Sequence, residues 1–265
     1  MSQRRRLDAE LVRRGLVTSR DRAREAIERG EVVVAGAPAT KPSRLVLPEE
    51  PIHVTGPPPR FVGRGGEKLA AALERFGVDL DGRRVLDAGA STGGFTDCCL
   101  QAGAHEVVAV DVGRGQLHQR LRSDPRVVVH ERTNVRHLRP GDLGDPFDVV
   151  VADLSFISLR TVAAALIALS APGADLVWLV KPQFEAGRSE VSQGRGVIAD
   201  PVVWRRVLDD VVATLGDLGA AIMGAMASPL RGADGNVEFL LHARTGQPAG
   251  ESAVLLDAAI AEASP

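Results

Sequence analysis

Residues 85–95 read VLDAGASTGGF, from Val85 to Phe95. A β-branched, apolar entry ends at Asp87 and breaks into Gly89, Gly93 and Gly94, the pattern of a buried strand running into a tight turn before a helix. Glycine suits such a turn because a backbone that bends sharply against a ligand leaves no room for Cβ. About twenty residues on, the apolar run Val107–Val110 ends in Asp111, where a carboxylate is placed to accept hydrogen bonds from a ribose diol. The pair points to an adenosine cofactor.

The spacing narrows the choice. A dinucleotide fingerprint needs glycine two residues after the first, and that position is Ser91. The loop also lacks the Lys-Ser/Thr of a phosphate-binding P-loop. A glycine-rich turn not built for phosphates fits S-adenosyl-L-methionine, which has none. The strand end and loop in question run over Asp87, Gly89, Ala90, Ser91, Thr92, Gly93, Gly94 and Phe95.

Working outward, strand-like runs alternate with helical ones: Val85–Asp87, Val107–Asp111, Val127–His130, Val149–Asp153 and Leu176–Val180, with Ile222–Met226 and Val237–His242 completing the set. That alternation predicts an α/β domain with a mostly parallel sheet covered by helices on both faces. Asp200 before Pro201 marks a helix start. The strand ends collect Asp87, Gly89, Asp111, Asn134, Asp153 and Lys181, and Glu238 joins them if the last strand runs antiparallel.

Composition sets bounds. The 265 residues suit one large domain or two smaller ones, and 45% hydrophobic residues suffice for a core. The longest uncharged apolar run, near Val162–Ala174, is too short for a bilayer and is interrupted by Pro172 and Gly173. The N-terminal basic residues are not followed by the apolar stretch of a signal peptide, so the expected location is cytoplasmic. Cys98 and Cys99 are neighbours on an expected helix and read as packing thiols. No metal site is expected.

Charge is uneven. Residues 1–65 hold thirteen Arg or Lys against eight Asp or Glu, which makes the remainder acidic. Within this basic end, Leu7, Leu11, Val12 and Leu16 recur at helical spacing, and Gly15 can end that helix. Thr18-Ser19 and Asp21 announce a second helix, stopped by Gly30. Arg13, Arg14, Arg20, Arg22, Arg24 and Arg29 are expected on the polar face, and Val32–Val34, the turn 35–38 and Ile52–Val54 suggest short strands.

Lysine use is selective. Lys41, Lys68 and Lys181 are the only lysines beside 29 arginines. A lysine kept in such a composition is a candidate for an amine that must lose a proton, which Arg cannot do. Lys181, in VKPQFE at a strand end, is therefore a candidate general base, with burial and a second ammonium favouring its neutral form.

The segment from Arg6 to Ser43 resembles the S4 RNA-binding domain in its order of helix, arginine-rich helix and valine-rich turn. The motifs GRGGEKL, DAGASTGGFTDCCL, DVGRGQL, ERTNVR, VADLSFISL, VKPQFE and GNVEFLL resemble those of the FtsJ-like ribose 2′-O-methyltransferases. Together the two parts resemble the hemolysin A, or TlyA, family of rRNA methyltransferases. The resemblance implies an S4-like α+β domain over 1–56, a linker over 57–64 and a methyltransferase domain over 65–265. The last has a Rossmann-like class I fold with a mostly parallel seven-stranded sheet and an antiparallel last strand.

It also implies a catalytic tetrad at Lys68, Asp153, Lys181 and Glu238, and cofactor contacts from Asp87, the Gly89–Phe95 loop, Asp111, Asn134 and Asp153. In the implied reaction Lys181 receives or orients a ribose 2′-hydroxyl proton, Lys68 helps keep that amine neutral, and the two carboxylates fix the lysines. The implied partner is ribosomal RNA in the 30S and/or 50S subunit, with Arg4, Arg6, Arg13, Arg14, Arg20, Arg22 and Lys41 as expected RNA contacts. Cytidine ribose in 16S and/or 23S rRNA is the implied target, with a link to capreomycin and viomycin sensitivity. The long S4 start and the helix-like tail Val254–Ala263 resemble the type acting on both subunits. The linker departs from that of one family member, with Arg60-Phe61-Val62 in place of Arg-Ala-Trp, so a role for a linker Trp is not expected to carry over.

Four rivals fare worse. An exocyclic-amine methyltransferase wants Asp/Asn-Pro-Pro-aromatic where Asp153-Leu154-Ser155-Phe156 stands, and a cytosine-C5 enzyme needs a cysteine nucleophile near the site. A membrane-acting hemolysin lacks a spanning segment. A non-enzymatic RNA scaffold is disfavoured by the complete tetrad.

Overall fold

A computed structural model describes the chain except residues 1–3, 18–19, 57–58, 195, 233–234, 248–249, 251 and 265, and omits the side chains of 21, 188, 189 and 193. The expected Thr18-Ser19 helix cap therefore lies outside the described residues. The chain separates into two compact units, 1–60 and 61–265.

In the first unit, helices Leu7–Arg13 and Arg20–Glu28 accompany a three-stranded antiparallel sheet in which Val32–Val34 lies between Ala37–Pro38 and Ile52–Val54. A second, two-stranded pairing joins Arg5–Arg6 to Leu45–Val46. Leu7, Leu11, Ile27, Val32, Val34 and Val46 form the core. Gly15 and Gly30, each just beyond a helix end, are left-handed, where a residue without Cβ is least strained.

The second unit is built on seven strands: β1 (Arg84–Ala88), β2 (Glu106–Val110), β3 (Val127–His130), β4 (Phe147–Ala152), β5 (Ser170–Val180), β6 (Ala220–Ala227) and β7 (Phe239–Thr245). Their spatial order is β6-β7-β5-β4-β1-β2-β3. The central pairings are parallel and β7 is antiparallel to both neighbours. Pairing of Phe239 with Val180 brings the start of β7 to the carboxyl end of β5, so Glu238 reaches the same edge as Lys181. Chain order reverses where β1 and β4 meet, and in such sheets ligands bind at that crevice.

Helices cover both faces. Those used below are α1 (Gly65–Phe76), α2 (Gly94–Gln101), α3 (Gln119–Arg122), α4 (Leu159–Ala168), α5 (Pro182–Glu185), α6 (Arg188–Gln193), α7 (Pro201–Asp217) and α8 (Ala253–Ala263). The Asp200 carboxylate caps α7 by accepting the Val202 N–H at 2.9 Å, as the Asp-Pro start predicts. Pro172 and Gly173 lie where the register of β5 shifts against β4. Phe61 is buried in the core beneath α1 and α2, so the residues just after the prolines belong to this second unit. Cys98 and Cys99 are buried free thiols, and burial pushes the Cys99 thiol well above its ordinary value.

Candidate active site

The glycine loop is shaped by close approach. Gly89 has φ +91°, and a Cβ there would lie 2.5 Å from the Asp153 carbonyl oxygen, so β1 and β4 can open into a common crevice only with glycine at this point. A Cβ on Gly94 would meet the Gly66 amide at 2.9 Å. The start of α1 is thereby pressed onto the start of α2, and of the GRGGEKL glycines Gly63 and Gly65 face Thr92 and Phe95 while Gly66 faces Phe61, which brings the helix carrying Lys68 to the loop.

Beside β1 and β2 this crevice forms a cavity of about 520 Å³, within the size range of small-molecule sites. Its walls include Gly89, Ser91, Asp111, Asn134 and Asp153, five of the expected cofactor contacts. The Asp111 carboxylate accepts the Ser91 N–H at 2.8 Å and the Gly113 N–H at 2.6 Å. Asn134 accepts the Arg136 N–H at 3.0 Å through its carbonyl oxygen. Val110, Val112, Val135, Leu154 and Ile157 supply an apolar lining. Among the described lining residues there is neither Arg nor Lys.

A second, smaller hollow of about 170 Å³ adjoins the first, sharing Gly89, Ser91, Asp153 and Ser155 with it. Ala90, Thr92, Gly94 and Phe95 line this part together with Lys181. Lys181 follows β5 and is nearly buried; its Nζ lies 2.6 Å from Asp153 Oδ1 and donates to Ser155 Oγ at 2.9 Å. Lys68, on α1, is buried against Glu238 in an ion pair. The four expected tetrad residues thus form two lysine–carboxylate pairs, one lining the hollow and one inside the protein.

Two expected contacts do not line either space. Asp87 is fully buried behind the loop, where its Oδ2 accepts the Thr96 hydroxyl at 2.6 Å. Burial pushes its carboxyl up to about 7, against the opposing effect of that hydrogen bond. Gly93, at φ +99°, faces away from the crevice: a Cβ there would strike Leu121 at 2.2 Å and Leu117 at 2.8 Å. Both residues shape the loop from behind. Ser155, Phe156, Gln116 and Thr133 line the main cavity without having been singled out in the sequence. Their signal was position alone, since Ser155 and Phe156 follow Asp153 directly in VADLSF.

The basic unit also differs from a uniformly solvated face. Asp8 and Glu10 are fully buried carboxylates. Asp8 accepts from Arg6 at 3.1 and 2.9 Å and from Arg20 at 3.2 Å, and the Arg6 hydrogen bonds hold its carboxyl down at about 2. Glu10 accepts from Arg13 at 2.8 and 2.6 Å and from Arg14 at 2.8 Å. Arg14 also donates to the carbonyls of Leu47, Pro48 and Glu50, and Arg22, mostly buried, pairs with Glu25. Arg14 and Arg22 are therefore building elements of the unit rather than exposed contacts. Arg4 and Lys41 are exposed, and Arg6, Arg13 and Arg20 remain about half exposed.

The FtsJ-like methyltransferase family model matches residues 61–245. The chain belongs to the FtsJ-like methyltransferase family. Residues 5–52 of this FtsJ-like methyltransferase match the S4 domain. It is 50% identical over 261 residues to the 16S/23S rRNA (cytidine-2′-O)-methyltransferase TlyA of Mycobacterium tuberculosis, covering 98% of this chain and 97% of that one. It is 38% identical over 238 residues to Hemolysin A of Brachyspira hyodysenteriae, covering 89% and 98%. A solved structure of a Streptococcus thermophilus protein described as a hemolysin superposes with a TM-score of 0.81 at 36% identity, over 99% of this chain and 96% of that one. Among the described residues no helix is long and apolar enough to cross a membrane.

Proposed function

We propose that this FtsJ-like methyltransferase transfers a methyl group from S-adenosyl-L-methionine to the 2′-hydroxyl of a cytidine ribose in ribosomal RNA, in the cytoplasm. The observation that carries the reading is the Lys181–Asp153 pair on the wall shared by the glycine loop and the second hollow. The residues fit the cofactor. Asp111 is available to a ribose diol through the lone pairs its two amide donors leave, Asn134 keeps its amide N–H groups, and the apolar lining suits an adenine. A cavity with no cation among its described lining residues suits a ligand without phosphates.

When bound, the cofactor supplies a methyl group on a sulfonium, and its C–S bonding electrons leave on sulfur. The protein's part is to hold the accepting hydroxyl in line and to take its proton. Lys181, as the free amine, accepts that proton at Nζ as the new O–C bond forms, and the resulting ammonium is held by Asp153. The buried Lys68–Glu238 pair fixes the start of β7 against α1, beside the glycine loop. Orientation of two reactants in this way supplies much of such a rate enhancement.

The half-exposed arginines of the first unit, with Arg4 and Lys41, offer donors to phosphate and to the shape of a folded RNA. Relatives named for 16S and 23S rRNA support both subunits as substrates. The test is transfer of labelled methyl from S-adenosyl-L-methionine to unmodified 30S and 50S subunits, followed by mapping of 2′-O-methyl ribose. Label on ribose supports the reading, and label on a base or on neither RNA refutes it.

A further inference from the structure

We propose that Ser155 is a positioning residue that fixes the rotation of the Lys181 amine, so that its lone pair is turned to the accepting hydroxyl. The inference rests on the reading of Lys181 as the proton acceptor. A neutral amine carries two N–H bonds and one lone pair in staggered positions about the Cε–Nζ bond, and only the lone pair can take a proton. With Asp153 Oδ1 as the sole acceptor, one N–H would be fixed while the other N–H and the lone pair could exchange places. Lys181 has a second acceptor, Ser155 Oγ at 2.9 Å, beside Asp153 Oδ1 at 2.6 Å. Two acceptors for two N–H bonds leave the lone pair a single position, and both Lys181 and Ser155 line the hollow.

Ser155 is not needed to hold its own loop. That loop is fastened by Glu185, whose buried carboxylate accepts from Ser158 Oγ at 2.5 Å and from the Leu159 N–H at 2.6 Å, tying the segment after β4 to α5. Ser155 itself is exposed, so loss of its hydroxyl removes a contact to Lys181 without opening the core. A bound methyl acceptor would meet Ser155 at the join between the cofactor cavity and the hollow.

The experiment uses the full-length protein with 30S and 50S subunits. Ser155→Ala, Ser155→Thr and Lys181→Ala are compared with wild type by kcat, KM and cofactor affinity. Ser155→Ala is expected to lower kcat about tenfold, as misorientation of a reacting group does, with cofactor KM and Kd within about twofold. Ser155→Thr, which keeps the hydroxyl, is expected to recover most of the lost rate.

A wild-type kcat in Ser155→Ala would overturn the proposal. So would a Thr variant as slow as the Ala variant, or cofactor affinity falling with the rate. If wild type is active, Lys181→Ala is silent and Ser155→Ala is unimpaired, only the role of Ser155 fails. A fully active Lys181→Ala fails the underlying reading as well.

Discussion

The Asp111 carboxylate accepts the Ser91 backbone N–H at 2.8 Å, joining the end of β2 to the glycine loop that follows β1. Its other oxygen takes the Gly113 N–H at 2.6 Å, so one side chain holds both the glycine loop and the turn after β2. Removal of the carboxylate loses both the loop restraint and the expected ribose contact. Asp111→Ala is expected to weaken cofactor binding at least about tenfold, since hydrogen bonds to a charged acceptor contribute about 1.5–3 kcal/mol. Calorimetric titration measures it, and an unchanged Kd would exclude Asp111 from the cofactor site.

The Lys68–Glu238 pair yields a prediction about stability. Both side chains are nearly buried, so truncating Glu238 leaves an ammonium with neither water nor counter-ion. Glu238→Ala is expected to cost about 3–5 kcal/mol, whereas replacing both members with apolar residues, Lys68→Met with Glu238→Leu, recovers most of that. Urea unfolding of the two variants gives the comparison. Equal stability of the single and double variants would mean that the pair is not desolvated.

Asp87 predicts a pH dependence. Its folded-state carboxyl is raised to about 7 from an ordinary value of 3.8, chiefly by burial. Between those values the folded chain keeps a proton that the unfolded chain has released, so this residue makes stability fall as pH rises from about 4 to 7. The slope approaches about 1.4 kcal/mol per pH unit within that window and vanishes above it. Asp87→Asn lacks the proton, and its stability relative to wild type should rise across the window. Parallel unfolding curves for the two proteins from pH 4 to 8 would contradict it.

The parts of this chain that were legible in its sequence are those governed by local pattern. Strand periodicity, the glycine turn, the Asp200-Pro201 cap and the run from Val107 into Asp111 each depend on residues near one another, and all seven expected strands are present. The antiparallel last strand, which carries Glu238 to the Lys181 edge, came with the family resemblance.

What was not legible depends on partners distant in sequence. Nothing local distinguishes Arg14, bonded to three carbonyls near residue 48, from its half-exposed neighbour Arg13. Gly93 stands in the same loop as Gly89 but is required by Leu117 and Leu121 rather than by a crevice. Ser155 becomes notable only when β5 delivers Lys181 beside it.

The proton-accepting role of Lys181 is the centre of the account, and it is tested most directly by measuring methyl transfer and cofactor binding together in Lys181→Ala. Transfer to 30S and 50S subunits should fall by at least about a hundredfold, the usual contribution of a positioned base, while S-adenosyl-L-methionine binds with near wild-type Kd. Retained transfer, or cofactor affinity lost in parallel with activity, would contradict it.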